Sequence, residues 1–303
     1  MSSKIVVVGG HKYTDEAKEL ADLLGASHIG LAYKRFPDGE IYVRLEKPSI
    51  ISDSITILLN TMYPCQNDMF IETLFLLNTV KRYNPKRIIL CVPYLAYARQ
   101  DKEFLSGEAI SGEVIVRSLL LTGADTLVVV DIHAPHLLEH FRGSTVNVLI
   151  SDLLVGEALK SMNEPLVLAP DKGAVGRARY AAEKLGLEYD YLEKHRDRIT
   201  GEITIKPKRL SVKDRDVIIV DDIISTGGTI AKASKIVVEQ GARKVYVAAS
   251  HALLIGDALN KIKRSGAKMI IAANTLAQKI DNNFIRYVDV IPRLKEVIDT
   301  LIN

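Results

Sequence analysis

Short, unbroken runs of Val, Ile and Leu recur along this chain, and stretches with helical spacing separate them. In the first half the runs are Lys4–Val8, Ser54–Leu59, Arg87–Val92 and Thr126–Val130. In the second half they are Leu166–Ala169, Asp216–Val220, Lys244–Ala249 and Lys268–Ala272. A strand with one wet face alternates apolar and polar residues, so runs without alternation predict strands covered on both faces, as in parallel sheets. Helical patterns at Met69–Arg82, Ser111–Leu121, Asp171–Leu185 and Thr229–Gln240 fill the gaps, and Gly241 is placed to stop the last of these. The fold class that follows is α/β. Chemistry in open parallel sheets sits at the carboxyl ends of strands, so the loops after the runs are where function is sought.

The two halves resemble each other. Arg87–Asp101 runs from strand to polar loop as Arg215–Thr229 does, and Thr126–His133 and Lys244–His251 each end in a strand-tip histidine. At 303 residues the chain exceeds one typical domain. Two similar α/β domains are therefore expected, 1–150 and 151–303. The last stretch, 292–302, begins with Pro292 at a helix start and places Leu294, Val297, Ile298, Leu301 and Ile302 on one face, which predicts a helix that docks.

Composition excludes several classes. The 40 basic and 37 acidic residues are spread along the chain and form no basic stripe, so nucleic acid is not an expected partner. No run approaches the roughly 18 apolar residues of a membrane span, and Ile5–Val8 is too short for a signal peptide. Of the two cysteines, Cys91 lies in an apolar run and is expected to be a buried thiol, while Cys65 follows Pro64 in a loop. Their number and spacing fit neither a disulfide framework nor a zinc ribbon, so a reducing cytoplasm is the expected location.

The most informative segment is Val217-Ile218-Ile219-Val220-Asp221-Asp222-Ile223-Ile224-Ser225-Thr226-Gly227-Gly228-Thr229. It passes from a strand straight into a helix. Glycines let backbone N–H groups turn inward toward an anion, and a helix start adds its positive end. Thr226 and Thr229 add hydroxyls, and the adjacent carboxylates of Asp221 and Asp222 accept from vicinal hydroxyls. One loop thus suits a sugar bearing both a phosphate and a diol. A plain strand–turn–helix with capping aspartates is the competing explanation.

Other segments are ambiguous alone. Phe36-Pro37-Asp38-Gly39-Glu40 sets an aromatic face and two carboxylates around a turn, suited to a purine and its amine, or is an ordinary Pro-Asp-Gly turn. Tyr94 to Lys102 brings Arg99, Gln100 and Asp101 to the end of a strand, where they contact polyphosphate and base or simply meet solvent. No Walker-type Gly-x-x-x-x-Gly-Lys-Ser/Thr loop is found. His133, His136 and His140 allow a zinc reading beside that of a polar, partly exposed helix. Lys194-His195-Arg196-Asp197-Arg198, between Tyr189–Leu192 and Ile203–Ile205, reads as a hairpin whose tip carries cations.

The loop Asp221–Thr229 resembles the phosphoribosyl-binding loop of type I phosphoribosyltransferases and ribose-phosphate pyrophosphokinases. The order Phe-Pro-Asp-Gly-Glu, Tyr-Ala-Arg-Gln-Asp-Lys, Asp-Ile-His, then that loop, resembles the pyrophosphokinase family over nearly the whole chain. The resemblance implies two phosphoribosyltransferase-like domains, each a mostly parallel sheet flanked by helices. It implies transfer of a pyrophosphoryl group from Mg-ATP to ribose 5-phosphate, yielding phosphoribosyl pyrophosphate and AMP. Asp221 and Asp222 would then face the ribose hydroxyls, and Ser225, Thr226, Gly227, Gly228 and Thr229 would hold the 5-phosphate. Phe36, Asp38 and Glu40 would reach the adenine of a neighbouring subunit, so at least a homodimer is implied, while Arg99, Gln100 and Asp101 would bind ATP. His133 and Asp171 would be ligands of Mg2+; Asp171, Lys172, Gly173 and Ala174 would form the pyrophosphate loop; Lys194 and Arg196 would be the catalytic cations on a mobile loop. A nucleobase phosphoribosyltransferase and a catalytically silent regulatory partner are the alternative readings. The chain departs from the family pattern at His136, Leu138-Glu139, Ser225 and the stretch 103–109, which bears on assembly and on control by ADP and phosphate.

Overall fold

The computed structural model describes residues 4–196, 203–206 and 211–302, with 193–196 and 203–206 as backbone only. In chain order the elements up to Val148 are β1 (Ile5–Gly9), α1 (Thr14–Leu24), β2 (Ser27–Ile29), β3 (Leu31–Arg35), β4 (Ile41–Leu45), β5 (Ile55–Leu59), α2 (Gln66–Lys81), β6 (Arg87–Val92), α3 (Ser111–Thr122), β7 (Thr126–Val130) and β8 (Ser144–Val148). Then come α4 (Ser151–Leu159), β9 (Pro165–Ala169), α5 (Val175–Leu185), β10 (Glu188–Tyr191), β11 (Glu193–Arg196), β12 (Ile203–Lys206), β13 (Asp216–Ile224) and α6 (Gly228–Glu239). The chain finishes with β14 (Lys244–Ala252), α7 (Ala258–Arg264), β15 (Met269–Ala273), β16 (Ile285–Val288) and α8 (Ile291–Ile302).

Two compact units result. One takes the chain up to Val148 together with Thr275–Gln278 and the segment from Val290 on; the other takes Leu149–Asn274 and Lys279–Asp289. The first holds a six-stranded sheet of order β2-β1-β5-β6-β7-β8, the second one of order β10-β9-β13-β14-β15-β16. Every pairing within these two sheets is parallel. The unbroken apolar runs are the reason: β5, β7 and nearly all of β6 and β14 are buried along their length, as strands with helices on both faces must be. Cys91 lies in this core, where burial pushes its thiol up to about 12, an uncharged apolar group.

Two sequence expectations change, and a third feature is new. The predicted helix Asp171–Leu185 begins as α5 only at Val175, because Asp171 caps a short 3-10 turn, its carboxylate accepting from the Gly173 N–H at 2.9 Å. Tyr189–Leu192 is not a hairpin arm: Glu188–Tyr191 pairs parallel with β9 at the sheet edge, and it is Glu193–Arg196 that pairs antiparallel with Ile203–Lys206. A third feature was not anticipated: β3 and β4 form a separate antiparallel ribbon in the first unit. Helix α8 begins one residue before Pro292 and buries Ile291, Leu294 and Ile298, packing on α1 within the first unit.

Candidate active site

In the second sheet the chain moves from β9 outward to β10, then returns to β13 on the other side of β9. That reversal makes a crevice between the ends of β9 and β13, the usual place for a ligand in an open parallel sheet. Asp171 lies two residues past β9, and Asp221 and Asp222 lie on β13 before the loop that enters α6. Gly227 caps α6 with φ +74°, and no side chain caps this helix start. The left-handed backbone favours glycine at this position, and a Cβ there would lie 3.1 Å from the Ala258 carbonyl oxygen, a tight approach that adds to the strain. The Leu254 and Ile255 N–H groups donate to the carbonyls of Ile224 and Ser225 at 3.0 and 2.9 Å, which fixes the loop from beneath. Thr226 and Gly228 are exposed at its crest.

The two aspartates are not equivalent. Asp222 is buried and bonded to Arg177 of α5 at 3.3 Å, whereas Asp221 is half-buried and its Oδ1 accepts from the Asp222 N–H at 2.9 Å. Burial, then the neighbouring Asp222 carboxylate, with Asp171 adding to it, holds the Asp221 carboxyl well above the usual aspartate range. Such a group gains when a cation or a hydroxyl donor arrives. Arg177 was not singled out in the sequence, where one arginine in an amphipathic helix looks like a solvated charge; its distance of six residues from Asp171 was the available signal.

The raised Asp221 carboxyl gives a pH prediction. Below the ordinary aspartate range both folded and unfolded chains hold this proton and nothing differs. As pH rises, the unfolded chain ionises first, so stability falls until the folded group ionises too, and the full penalty then persists. Asp221→Asn in the presence of a chelator is therefore expected to raise the melting temperature near pH 8 and to leave it almost unchanged near about pH 3. An equal gain at both pH values would contradict this.

In the first unit, Phe36-Pro37-Asp38-Gly39-Glu40 forms the exposed tip of the β3–β4 ribbon. The Phe36 N–H donates to the Glu40 carbonyl at 2.8 Å, the Glu40 N–H to Asp38 Oδ1 at 3.2 Å, and the Lys34 ammonium lies 4.4 Å from the Phe36 ring centre. Arg35 bonds the Gly39 carbonyl at 2.9 Å and pairs with Asp68 at the start of α2. Cys65, Gln66, Asn67, Asp68, Tyr94 and Tyr97 line a cavity of about 450 Å³ beside that helix start. Tyr97, with φ +64° and a hydrogen bond to Asn67, turns the chain into Arg99, Gln100 and Asp101. Gln100 Oε1 accepts from Ser111 at 2.8 Å, and Arg99 is exposed with no hydrogen bond or ion pair among the described residues.

His133 is exposed just past β7 in the first unit, while Asp171 belongs to the second. His136 faces Asp101 at 3.4 Å and His140 faces Glu113 at 3.8 Å, so these two histidines turn to carboxylates on different elements. Among the described residues no three His, Cys, Asp or Glu side chains close on one point, so no structural zinc cage is formed by them. Lys194 and Arg196 occupy β11 positions paired with Ile205 and Ile203; their side chains lie outside the described residues, as do residues 197–202.

Residues 5–123 match the N-terminal domain of ribose phosphate pyrophosphokinase, and residues 146–269 match the phosphoribosyl transferase domain. A ribose-phosphate pyrophosphokinase of Sulfurisphaera tokodaii is 39% identical over 291 residues, which is 96% of this chain and 99% of that protein. One from Saccharolobus solfataricus is also 39% identical, over 90% of this chain and 93% of its own length. The crystal structure of phosphoribosylpyrophosphate synthetase from Mycobacterium smegmatis superposes with a TM-score of 0.87 at 28% identity, covering 98% of both chains.

Proposed function

The chain belongs to the ribose-phosphate pyrophosphokinase family, and from that premise we propose that it moves the pyrophosphoryl group of Mg-ATP onto the C1 hydroxyl of ribose 5-phosphate. The observation that carries this reading is the crevice between β9 and β13, where paired carboxylates adjoin an uncapped helix start. Asp221 and Asp222 accept from the ribose hydroxyls. Ser225, Thr226, Gly227, Gly228 and Thr229 surround the 5-phosphate with N–H and O–H donors, and Arg177 holds Asp222 in place. The loop Asp171-Lys172-Gly173-Ala174 lies against the same crevice and takes the pyrophosphate of the product.

ATP falls to the first unit and the sugar phosphate to the second, a division near residue 150. Arg99, Gln100 and Asp101 hold the nucleotide, and the ribbon tip with Phe36, Asp38 and Glu40 reaches the adenine held by a second copy, so the enzyme works as at least a homodimer. The carboxylates at the crevice suit a hard cation. Mg2+ held by His133 and Asp171 would leave most of its positions to water and phosphate oxygens, and when bound it neutralises charge on the triphosphate. The C1 hydroxyl attacks the β-phosphorus and gives up its proton to solvent, the new O–P bond forms, the bond from the β-phosphorus to the bridging oxygen of the α-phosphate breaks, and AMP leaves with that oxygen. Lys194 and Arg196 stabilise the charge that spreads over the equatorial oxygens and the departing AMP.

Among the described residues no helix is long and apolar enough to cross a membrane; with both substrates being intracellular metabolites, the cytoplasm is the proposed location. The test is to mix protein, Mg-ATP and ribose 5-phosphate and follow phosphorus NMR. Equal amounts of AMP and phosphoribosyl pyrophosphate are expected with no nucleobase present. Turnover only when phosphoribosyl pyrophosphate and a nucleobase are supplied in place of Mg-ATP and ribose 5-phosphate would make the chain a phosphoribosyltransferase, and no turnover with either pair would make it a silent partner.

A further inference from the structure

The first unit shares the strand order of the second, so it has an equivalent reversal between β1 and β5. There the crevice is filled by the protein's own side chains. A Cβ on Gly10 would lie 2.0 Å from Asn60 Oδ1, and Asn60 Nδ2 donates to Thr73 Oγ1 at 3.0 Å. Glu72 of α2 is completely buried, its Oε1 accepting the His11 backbone N–H at 2.7 Å and its Oε2 lying 2.5 Å from His11 Nδ1. The His11 ring stacks flat on Tyr33 of β3, centroids 3.6 Å apart and planes within 5°.

A second grip repeats the first. Asp68 precedes Glu72 by one helical turn and pairs with Arg35, two residues after Tyr33. One helical turn rises about 5.4 Å and two strand residues about 6.7 Å, so α2 can hold alternate residues of β3 at successive rungs. The ribbon needs such support, since among the described residues β3 and β4 pair only with each other.

We propose that Glu72, acting through His11 and Tyr33, is a positioning residue for the nucleotide site: it fixes the base of the ribbon that carries Phe36, with Asp68–Arg35 as the outer grip. The idea rests on the reading of the ribbon tip as an adenine contact. A buried carboxylate that loses its donors is left unsatisfied, so the His11 loop and α2 stay together and the stacked Tyr33 stays with them. The ribbon contacts the base rather than the reacting phosphorus, so loosening it weakens ground state and transition state alike.

The experiment compares the intact enzyme with His11→Ala, which loses ring bond and stack, and His11→Phe, which keeps the stack alone. Hydrogen exchange and steady-state kinetics are measured on each. For His11→Ala, amides of 31–35 and 41–45 should exchange about tenfold faster, KM for Mg-ATP should rise about fivefold, and kcat and KM for ribose 5-phosphate should stay within about twofold. His11→Phe should recover part of both changes. Unchanged ribbon exchange overturns the proposal, as does equal acceleration in β5 and β6, and so does a loosened ribbon with an unaltered KM for Mg-ATP. A wild-type enzyme that binds Mg-ATP but forms no AMP would instead sink the proposed reaction, and the ribbon would then be judged by Mg-ATP affinity alone.

Discussion

Lys194→Ala is expected to lower turnover by about 10³–10⁵-fold, equivalent to roughly 4–7 kcal/mol of lost transition-state stabilisation. The substrates bring many negative charges to one place, and transfer spreads that charge over equatorial oxygens and the leaving AMP. Carboxylates and backbone N–H groups dominate the crevice described above; of the cations beside it, Arg177 already holds Asp222, and Lys172 lies on the turn proposed to take the product pyrophosphate. On the proposed reading, further cations for the transition state are Lys194 and Arg196, which stand at alternate positions of β11. Groups that engage mainly the transition state change kcat far more than KM. Single-turnover measurement of AMP formation in the variant checks this. Near-normal turnover would remove Lys194 from the mechanism, and an equally large rise in the KM for both substrates would make it a ground-state contact.

Gly227→Val should raise KM for ribose 5-phosphate by about 10²–10³-fold while the sheet survives. A β-branched residue at φ +74° carries backbone strain of about 1–3 kcal/mol, and the added atoms meet the Ala258 backbone, an overpacking cost of about 1–3 kcal/mol more. The crest of the loop yields more readily than helix α7 behind it, so the N–H groups that would receive the phosphate are displaced. Gly186 is the control. It ends α5 with φ +67°, and a Cβ added there would meet nothing within 4 Å. Gly186→Val should lower the melting temperature without altering KM. Titration with ribose 5-phosphate, beside thermal melts, separates the two; matching KM values for both variants would show that the loop holds no phosphate.

The sheets were legible in the sequence because strands buried on both faces leave an unbroken apolar signature, as in β6 and β7, whose bounds coincide with the runs Arg87–Val92 and Thr126–Val130. The ribbon was not. Lys34 and Arg35 break the apolar pattern of β3, and the one-sided alternation of β4, with Ile41, Val43 and Leu45 turned inward and Tyr42 and Arg44 outward, is too short to stand out beside the unbroken runs. The turn between β13 and α6 was legible as a candidate site because glycines and paired aspartates at a strand-to-helix junction stand out against ordinary turn chemistry. Glu72 was hidden for the opposite reason: a glutamate in a helix looks solvated until the fold places His11 over it. Arg177 was hidden in the same way, since its partner Asp222 lies 45 positions away along the chain.

The path of the chain has a consequence for how the protein is made. Thr61 Oγ1 donates to the Thr275 carbonyl at 2.6 Å, the Ala277 N–H to the Tyr63 carbonyl at 3.2 Å, and Arg87 to the Leu301 carbonyl at 2.7 Å. Unit one is thus completed by stretches of sequence synthesised more than a hundred residues after its sheet. On the ribosome it must wait, partly uncovered, while unit two is being translated. A fragment ending at Val148 would emerge with α1 lacking its α8 neighbour and should need residues 290–302, added as a peptide, to fold cooperatively.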